Sequence, residues 1–458
     1  LYRISKDFSQ FELGKIFRMT LPPHAPDPWR WRLALALYRL SSPLLLGIAL
    51  PAWLRKMAAR GGWATPIGER FGFYKTDTEW TPCGQLHVHA VSVGETLIAL
   101  KFLRAYQRPA VLAVSTATAW QVALDAAVKH VTVVYAPVDL YPIVRRYLQR
   151  FEPTQLVLVE AEAWPELMEA CQRRAIPVTM INARLSARSE RRYRALRKWI
   201  SPLFQKIALI GVQDPQDAER FAAIGIDAAR LQVTGSIKFD PQSAEMPKQR
   251  DDFNAILAPI QQQRKIILAA STHDGEELML AQSLLDRGYL FLCVPRHAER
   301  RLEVREALQS HGFSVWLRSE GIPPQGIIID VLVIDSTGEL RDWTAHADVV
   351  IIGKSFLSTG GQNPAEAILA HKPLIVGPHM ENFEPLMSQL LAANAAIRVN
   401  DPSILPSAIA DLLENSKTTK AIFERAMSVL QQHAGATERS VRMVDQPPAN
   451  PTDATRRT

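Results

Sequence analysis

Cysteine is scarce: Cys83, Cys171 and Cys293 lie far apart, with no C-x-x-C pair. That spacing excludes a disulfide framework and a thiolate metal site. The sequence also has no zinc-finger spacing, no aromatic-interleaved basic strand and no basic helix with a dimerisation repeat, so nucleic acid is not an expected partner. A D-x-D pair in a suitable loop, the usual mark of a metal-held nucleotide, is missing too. What is present is globular: 47% of residues are apolar and 22% charged, outside the disordered range. The net charge of +7 suits an anionic partner, and phospholipid, a phosphorylated lipid or a nucleotide would each satisfy it. A chain of 458 residues predicts two domains of roughly 170 to 200 residues, each with its own core.

Polar residues are few from Leu33 to Leu54, where LALALYRLSSPLLLGIALPAWL carries Arg39 as its single charge. A run of this length either crosses a bilayer as a helix or lies in its interface. Pro43 and Pro51 are expected to break regular helix. Arg30 and Arg32 before it, and Arg55, Lys56 and Arg60 after it, leave the orientation open. No small-x-small cleavage site stands out, which argues against a removed signal peptide. Residues 1–20 lack periodicity, and Met19 is a candidate natural start.

Beyond the anchor, β-branched runs alternate with helical stretches, the pattern of parallel sheets with helices on both faces. The first half offers LHVHAVS (86–92), AVLAVST (110–116), VTVVYAP (131–137), QLVLVE (155–160), PVTMINA (177–183) and ALIGVQ (208–213). The second offers KIILAAS (265–271), YLFLCVP (289–295), IIIDVLVID (327–335), DVVIIG (348–353) and PLIVG (373–377). The expected organisation is an N-terminal extension and anchor over 1–60, a Rossmann-like domain over 61–240 and a linker over 241–264. A second Rossmann-like domain over 265–440 and a frayed tail over 441–458 follow. Two such domains facing a central cleft would bind ligands at their strand carboxyl ends.

Chemistry-bearing residues cluster at those predicted ends. In KSFLSTGGQNPAEAILAHKPLIVGPHMENF (354–383), Gly360 and Gly361 permit close backbone approach. Asn363 is placed to cap a helix, with Pro364 at its first position and Glu366 closing an N-x-x-E box. Such a helix start favours a phosphate, although a merely well-capped helix has the same pattern. In VPRHAER (294–300), Arg296 is set to meet a phosphate or a pyrimidine edge, or else to form a surface ion pair. DSTGEL (335–340) offers Gly338 and its backbone to a ligand, with Glu339 favouring the helix start. STHDGEE (271–277) repeats that strand-to-helix logic.

In the first half, AVSVGET (90–96) puts Glu95 at a helix start, where a carboxylate can take the proton of an attacking hydroxyl or simply complement the helix dipole. Glu160 in VEAEAWPE and Lys238 in TGSIKFD are further candidates, the lysine to offset negative charge in a transition state. Their plain alternatives are helix-start acidity beside Glu162 and a solvated lysine. His87 and His89 alternate on one strand and read as buried strand histidines before metal ligands; no metal and no other cofactor is expected. The basic run ARLSARSERRYRALRK (183–198) reads as helical arginines facing either lipid phosphates or solvent.

These motifs, in order, resemble the bacterial 3-deoxy-D-manno-octulosonic acid (Kdo) transferases, GT-B enzymes of lipopolysaccharide assembly. The resemblance runs from about Leu33 to Gln432 and includes IGERFG (67–72), HAVSVGE, EAEAWP, GSIKFD, STHDGEE, VPRHAER, TGEL, GGQNPAE and GPHMENF. It implies an inverting transfer of Kdo from CMP-Kdo to the tetraacyl disaccharide bisphosphate precursor of lipid A. It implies Glu95 as general base, Glu160 and Lys238 as transition-state stabilisers, and CMP held by Pro295, Arg296, Thr337, Gly338, Glu339, Asn363, Pro364, Ala365 and Glu366. The work would take place at the cytoplasmic face of the inner membrane, against its phospholipid surface. Two departures stand out: EAEAWPE (160–166) where the family more often has E-T-E-L-W-P-N, and Lys354 where it has glycine. The alternatives are a lipid-directed GT-B transferase using a UDP-sugar and a non-catalytic, membrane-tethered sugar-nucleotide binder.

Overall fold

A computed structural model describes residues 28–59, 65–74, 85–261, 263–284 and 287–445. Cys83, Met19 and the residues after 445 lie outside this set. The chain forms two compact units, one comprising the chain up to Lys238 and from Ala436 onward, the other Phe239–Gly435.

The first unit holds seven parallel strands: β1 (Leu86–Ala90), β2 (Ala110–Val114), β3 (Val131–Tyr135), β4 (Gln155–Val159), β5 (Val178–Ala183), β6 (Leu209–Val212) and β7 (Leu231–Val233). Their order, β3-β2-β1-β4-β5-β6-β7, reverses direction between β1 and β4. Strands β1, β2 and β5 are buried along their whole length, as apolar strands covered on both faces by helices must be. The second unit repeats the plan with β8 (Ile266–Thr272), β9 (Leu290–Pro295), β10 (Val315–Leu317), β11 (Val331–Val333), β12 (Val349–Ile352), β13 (Leu374–Val376) and β14 (Ile397–Arg398). In its order, β10-β11-β9-β8-β12-β13-β14, the reversal falls between β8 and β12. Both units are thus doubly wound Rossmann sheets, as the strand rhythm predicts, and each has one topological switch point.

Two boundaries differ from the sequence expectation. The stretch 241–264 is not a free linker: Asp251–Gln261 is a helix burying Phe253, Ile256, Leu257 and Ile260 in the second unit's core. Those four residues have the i, i+3, i+4, i+7 spacing of an amphipathic helix, and Phe253 stacks on Trp343 with centroids 3.8 Å apart. The C-terminal boundary also moves. Ala436–Asp445 is a helix that crosses back to the first unit, where Met443 and Val444 join the core beneath β1 and β2.

Upstream, Trp29–Ala59 is one uninterrupted helix that runs through Pro43 and Pro51. Each proline removes an i→i−4 hydrogen bond, and the Leu- and Ala-rich turns on either side, strong helix formers, carry the helix past both. It is the one described helix long and apolar enough to cross a membrane. Trp31 and Leu35 are buried against the first unit, while Leu40, Leu44, Leu45 and Ile48 are exposed. The hydroxyl of Tyr38 donates to Asp139 at 2.9 Å, and Arg39 grips Glu166 through two nitrogens. Further along, Trp53 lies under the guanidinium of Arg70, 5.4 Å from its ring centre. Arg70 belongs to the 3-10 turn Ile67–Phe71, which the carboxylate of Glu69 fixes to β3 by accepting the N–H of Tyr135 at 2.9 Å.

Candidate functional site

In the first unit Glu95 and Glu160 follow the two strands that flank the switch point, and Lys238 follows the edge strand β7. Glu95 lies in the first turn of the helix Val93–Tyr106, which succeeds β1. Its Oε2 accepts the N–H of Val91 at 2.8 Å and its Oε1 the hydroxyl of Ser92 at 2.8 Å, while Ser92 Oγ caps the N–H of Glu95. This is a reciprocal cap, a variant of the capping box in which Glu95 takes the N–H of Val91 and the hydroxyl of Ser92, so the plain helix-start reading holds. It does not exhaust the residue, because two hydrogen bonds leave a carboxylate with acceptor capacity. Glu95 is 7% exposed, and burial raises its pKa against the opposing hydrogen bonds from Val91 and Ser92.

Glu160 directly follows β4 and adopts a left-handed backbone, φ 62°. A non-glycine residue there carries strain of about 1–3 kcal/mol. Its N–H is tied to the carbonyl of Ile181 on β5 at 3.0 Å. Burial and then the negative charge of Glu95 raise its pKa, opposed by Lys238 and Arg184. Glu162 is raised likewise by burial and Glu95. Lys238 sits on the 3-10 turn Ile237–Phe239, and burial pushes its ammonium down to about 8 against the attraction of Glu160. Glu160 is therefore coupled electrostatically to both Glu95 and Lys238; the adjacency of β1 and β4 brings the two acids together.

Asn182, fully buried at the end of β5 with φ 54°, fixes the lysine turn: its Oδ1 accepts the N–H of Ile237 at 2.8 Å. The predicted basic helix begins only at Ala187. Arg184 precedes it, on the loop leaving β5, and faces Glu160 and Lys238 electrostatically. Reading the whole run as helical arginines hid this position. His87 and His89 are buried and share the hydroxyl of Tyr147, His87 through Nδ1 at 2.6 Å and His89 through Nε2 at 3.3 Å.

In the second unit the candidates lie on the loops after β8, β9, β11 and β12. Pro295 ends β9, and the N–H of Arg296 is fixed by the carbonyl of Thr272 at 2.9 Å. The side chain of Arg296 is exposed and makes no ion pair among the described residues. The surface pairing that VPRHAER also suggested belongs instead to Arg300, which meets Glu277 at 2.8 Å and Asp274 and Glu303 at 3.1 Å. Thr337 is exposed, and Gly338 has φ 81° with open space where a Cβ would project. The carboxylate of Glu339 is committed to Arg318, at 2.9 and 3.2 Å, and to Ser336. Its burial would raise its pKa, but these contacts hold it below the usual carboxylate range. In this loop the backbone, rather than Glu339's acid group, is open to a ligand.

The glycine-rich loop after β12 is built around close approaches. Gly360 and Gly361 have φ 116° and 68°, and a Cβ would run into the side chain of Asn382 at the first and of Met380 at the second. Glycine is the residue both places admit. The helix that follows is Ala365–Leu369, five residues long, with Pro364 rather than Asn363 in the cap position. Pro364 already has helical dihedrals but no N–H, and Asn363 Oδ1 takes the N–H of Ala365 at 3.1 Å. The expected box is replaced by a side-chain contact, Asn363 Nδ2 to Glu366 Oε1 at 3.4 Å. So short a helix contributes less dipole than the sequence implied.

The residue that organises this loop is Glu276, which the STHDGEE motif contains but whose role the sequence does not disclose. It is 0% exposed. Its Oε2 accepts N–H groups from His273 at 3.0 Å and Lys354 at 2.6 Å, and its Oε1 accepts that of Phe356 at 3.0 Å. One buried carboxylate thereby joins the loop after β8 to the loop after β12. Lys354 is held at φ 54°, a conformation that costs glycine little and other residues about 1–2 kcal/mol.

Two doubly wound Rossmann units, with candidate residues on loops that leave the carboxyl ends of their strands, define a protein with a two-domain, GT-B-like fold. Residues 65–241 match the family model described as 3-Deoxy-D-manno-octulosonic-acid transferase (kdotransferase). A 3-deoxy-D-manno-octulosonic acid transferase of Haemophilus influenzae is 31% identical over 81% of this chain and 89% of its own length. One of Bordetella pertussis is 33% identical over 85% and 93%. The chain belongs to the 3-deoxy-D-manno-octulosonic acid transferase family. Among solved structures, the UDP-GlcNAc 2-epimerase of Neisseria meningitidis bound to UDP-GlcNAc is similar in fold, with a TM-score of 0.54 at 14% identity over 79% of this chain and 99% of that one.

Proposed function

We propose that this protein transfers Kdo from CMP-Kdo to the lipid A precursor, with inversion at the anomeric carbon. Glu95 removes the proton from an acceptor sugar hydroxyl as that oxygen bonds to the anomeric carbon. The bond from that carbon to the phosphate oxygen breaks on the opposite side, and CMP leaves with the electron pair. A base must be unprotonated yet able to hold a proton, and burial moves Glu95 toward that condition. Glu160 and the charge of Lys238 stabilise the transition state. Pro295, Arg296, Thr337, Gly338, Glu339, Asn363, Pro364, Ala365 and Glu366 hold CMP, with the unpaired Arg296 on its phosphate. CMP leaves as a monophosphate, whose charge arginine, lysine and backbone N–H groups can carry.

The observation that carries this reading is the placement of Glu95 and Glu160 after the adjacent strands β1 and β4, with Lys238 coupled to Glu160, in a chain of this family. Incubation with CMP-Kdo and the tetraacyl disaccharide bisphosphate, with product mass as readout, tests it. Addition of Kdo units is expected; turnover with UDP-sugars but not with CMP-Kdo would reject the donor.

The same reading puts the protein at the cytoplasmic face of the inner membrane, with the helix Trp29–Ala59 lying in the interface. Tyr38 and Arg39 are bonded to the first unit, and Trp53 meets Arg70 of that same unit. A helix held to one globular body at both points leaves no room for a bilayer core of about 30 Å between them. Its exposed leucines are then the face turned to lipid.

A further inference from the structure

Among the described residues, the Arg184 guanidinium of the first unit is near acid groups but bonded to none. Arg184 is half-buried and makes no hydrogen bond or ion pair among the described residues. The backbone on both sides of it is fixed. Asn182 is locked to the Lys238 turn, the N–H of Leu185 donates to Asp217 at 3.0 Å, and Arg220 Nη1 donates to the Leu185 carbonyl at 3.0 Å. Arg184 is therefore held in place without any bond from its own charged group. Register puts it beside the candidate acid groups, since the N–H of Glu160 bonds to Ile181, three residues earlier on β5.

Other half-buried arginines of the first unit behave differently. Arg220 is engaged by Asp217 and Gln216 as well as Leu185, and Arg39 is doubly bonded to Glu166. A cation drawn partly out of water without a partner is unfavourable, and a planar fork of donors is the group that matches a carboxylate or phosphate with two bonds.

We propose that Arg184 binds an anionic group of the substrates beside Glu95, Glu160 and Lys238, either the carboxylate of the transferred acid sugar or a phosphate of the lipid acceptor. The inference rests on the transfer reading above and deepens it by naming what recognises the substrates' negative charge in the first unit. With two like-charged carboxylates close by, a bound anion needs a cation of its own, and Lys238 alone would be shared with Glu160.

Steady-state kinetics of the full chain and of its Arg184→Ala and Arg184→Lys variants test it, with CMP-Kdo and with bisphosphorylated and dephosphorylated acceptor. Loss of a charge-assisted pair of bonds is expected to raise one KM by roughly ten- to a hundredfold in the alanine variant, with partial recovery in the lysine variant. A raised KM for CMP-Kdo assigns Arg184 to the sugar carboxylate. A raised KM for the bisphosphorylated acceptor, absent with the dephosphorylated one, assigns it to a phosphate. Unchanged KM values for both substrates, or a fall in kcat alone, would overturn the inference while leaving the transfer reading in place. Failure of the wild-type chain to transfer Kdo would overturn both. Should the alanine variant not fold, as judged by its melting curve, the lysine variant and Arg184→Gln carry the same comparison.

Discussion

Replacing Glu276 with glutamine perturbs the second unit at one defined point. The carboxylate accepts three backbone N–H groups, two on Oε2 and one on Oε1. Glutamine offers one oxygen, which the two donors from His273 and Lys354 will claim, leaving its NH2 pointed at the N–H of Phe356. A buried donor left unsatisfied costs about 1–3 kcal/mol, a factor of roughly 5 to 150 in a local opening equilibrium. Amide hydrogen exchange reads that opening residue by residue. Phe356 should exchange faster by that factor, with His273 and Lys354 accelerated less, and amides of β1–β5 in the other unit should be unaffected. Because the loop from Lys354 to Glu366 carries proposed CMP contacts, calorimetric affinity for CMP should fall in parallel. Unchanged exchange at Phe356 would refute the argument that Glu276 holds the two loops together.

The pH profile of transfer should be bell-shaped. Glu95, raised by burial, loses its function as pH falls through a value above the usual carboxylate range, and Lys238, lowered to about 8, loses its charge as pH rises past that value. Lys238→Arg keeps the charge at all accessible pH, so the alkaline limb of kcat should move upward; a limb that stays near 8 would separate it from Lys238. Lys354→Gly relieves the left-handed backbone at φ 54°, a gain of about 1–2 kcal/mol set against the greater chain entropy of glycine, about 0.4–1 kcal/mol. The net expectation is a melting temperature for the second unit higher by up to about 6 °C, with a decrease counting against strain at that position.

Much of the fold was legible because long β-branched runs such as IILAAST and LHVHA can be little else than buried strands. Strands β7, β10 and β14 were not, being two or three residues long and too short for any periodicity. Pro43 and Pro51 signalled a break that the surrounding leucines override, and the polar composition around the helix Asp251–Gln261 masks the apolar spacing of Phe253, Ile256, Leu257 and Ile260. Glu95 was visible at its helix start, where it does complete the cap, but its burial beside Glu160 and Glu162 depends on residues far along the chain. Lys238 could be named from its motif, but its depressed pKa arises from burial and from neighbours far along the chain. Arg184 and Glu276 illustrate the limit: one is distinguished by partners it lacks, the other by N–H groups nearly eighty residues away, and neither property has a local pattern.

The central claim is that Glu95 removes the acceptor proton. Glu95→Gln preserves size and an acceptor for the Val91–Ser92 cap while removing the base, so single-turnover transfer measured beside CMP binding isolates that role. The rate should fall by about 10²- to 10⁴-fold with CMP affinity unchanged within about twofold. Transfer at the wild-type rate by a variant that binds CMP normally would contradict the account.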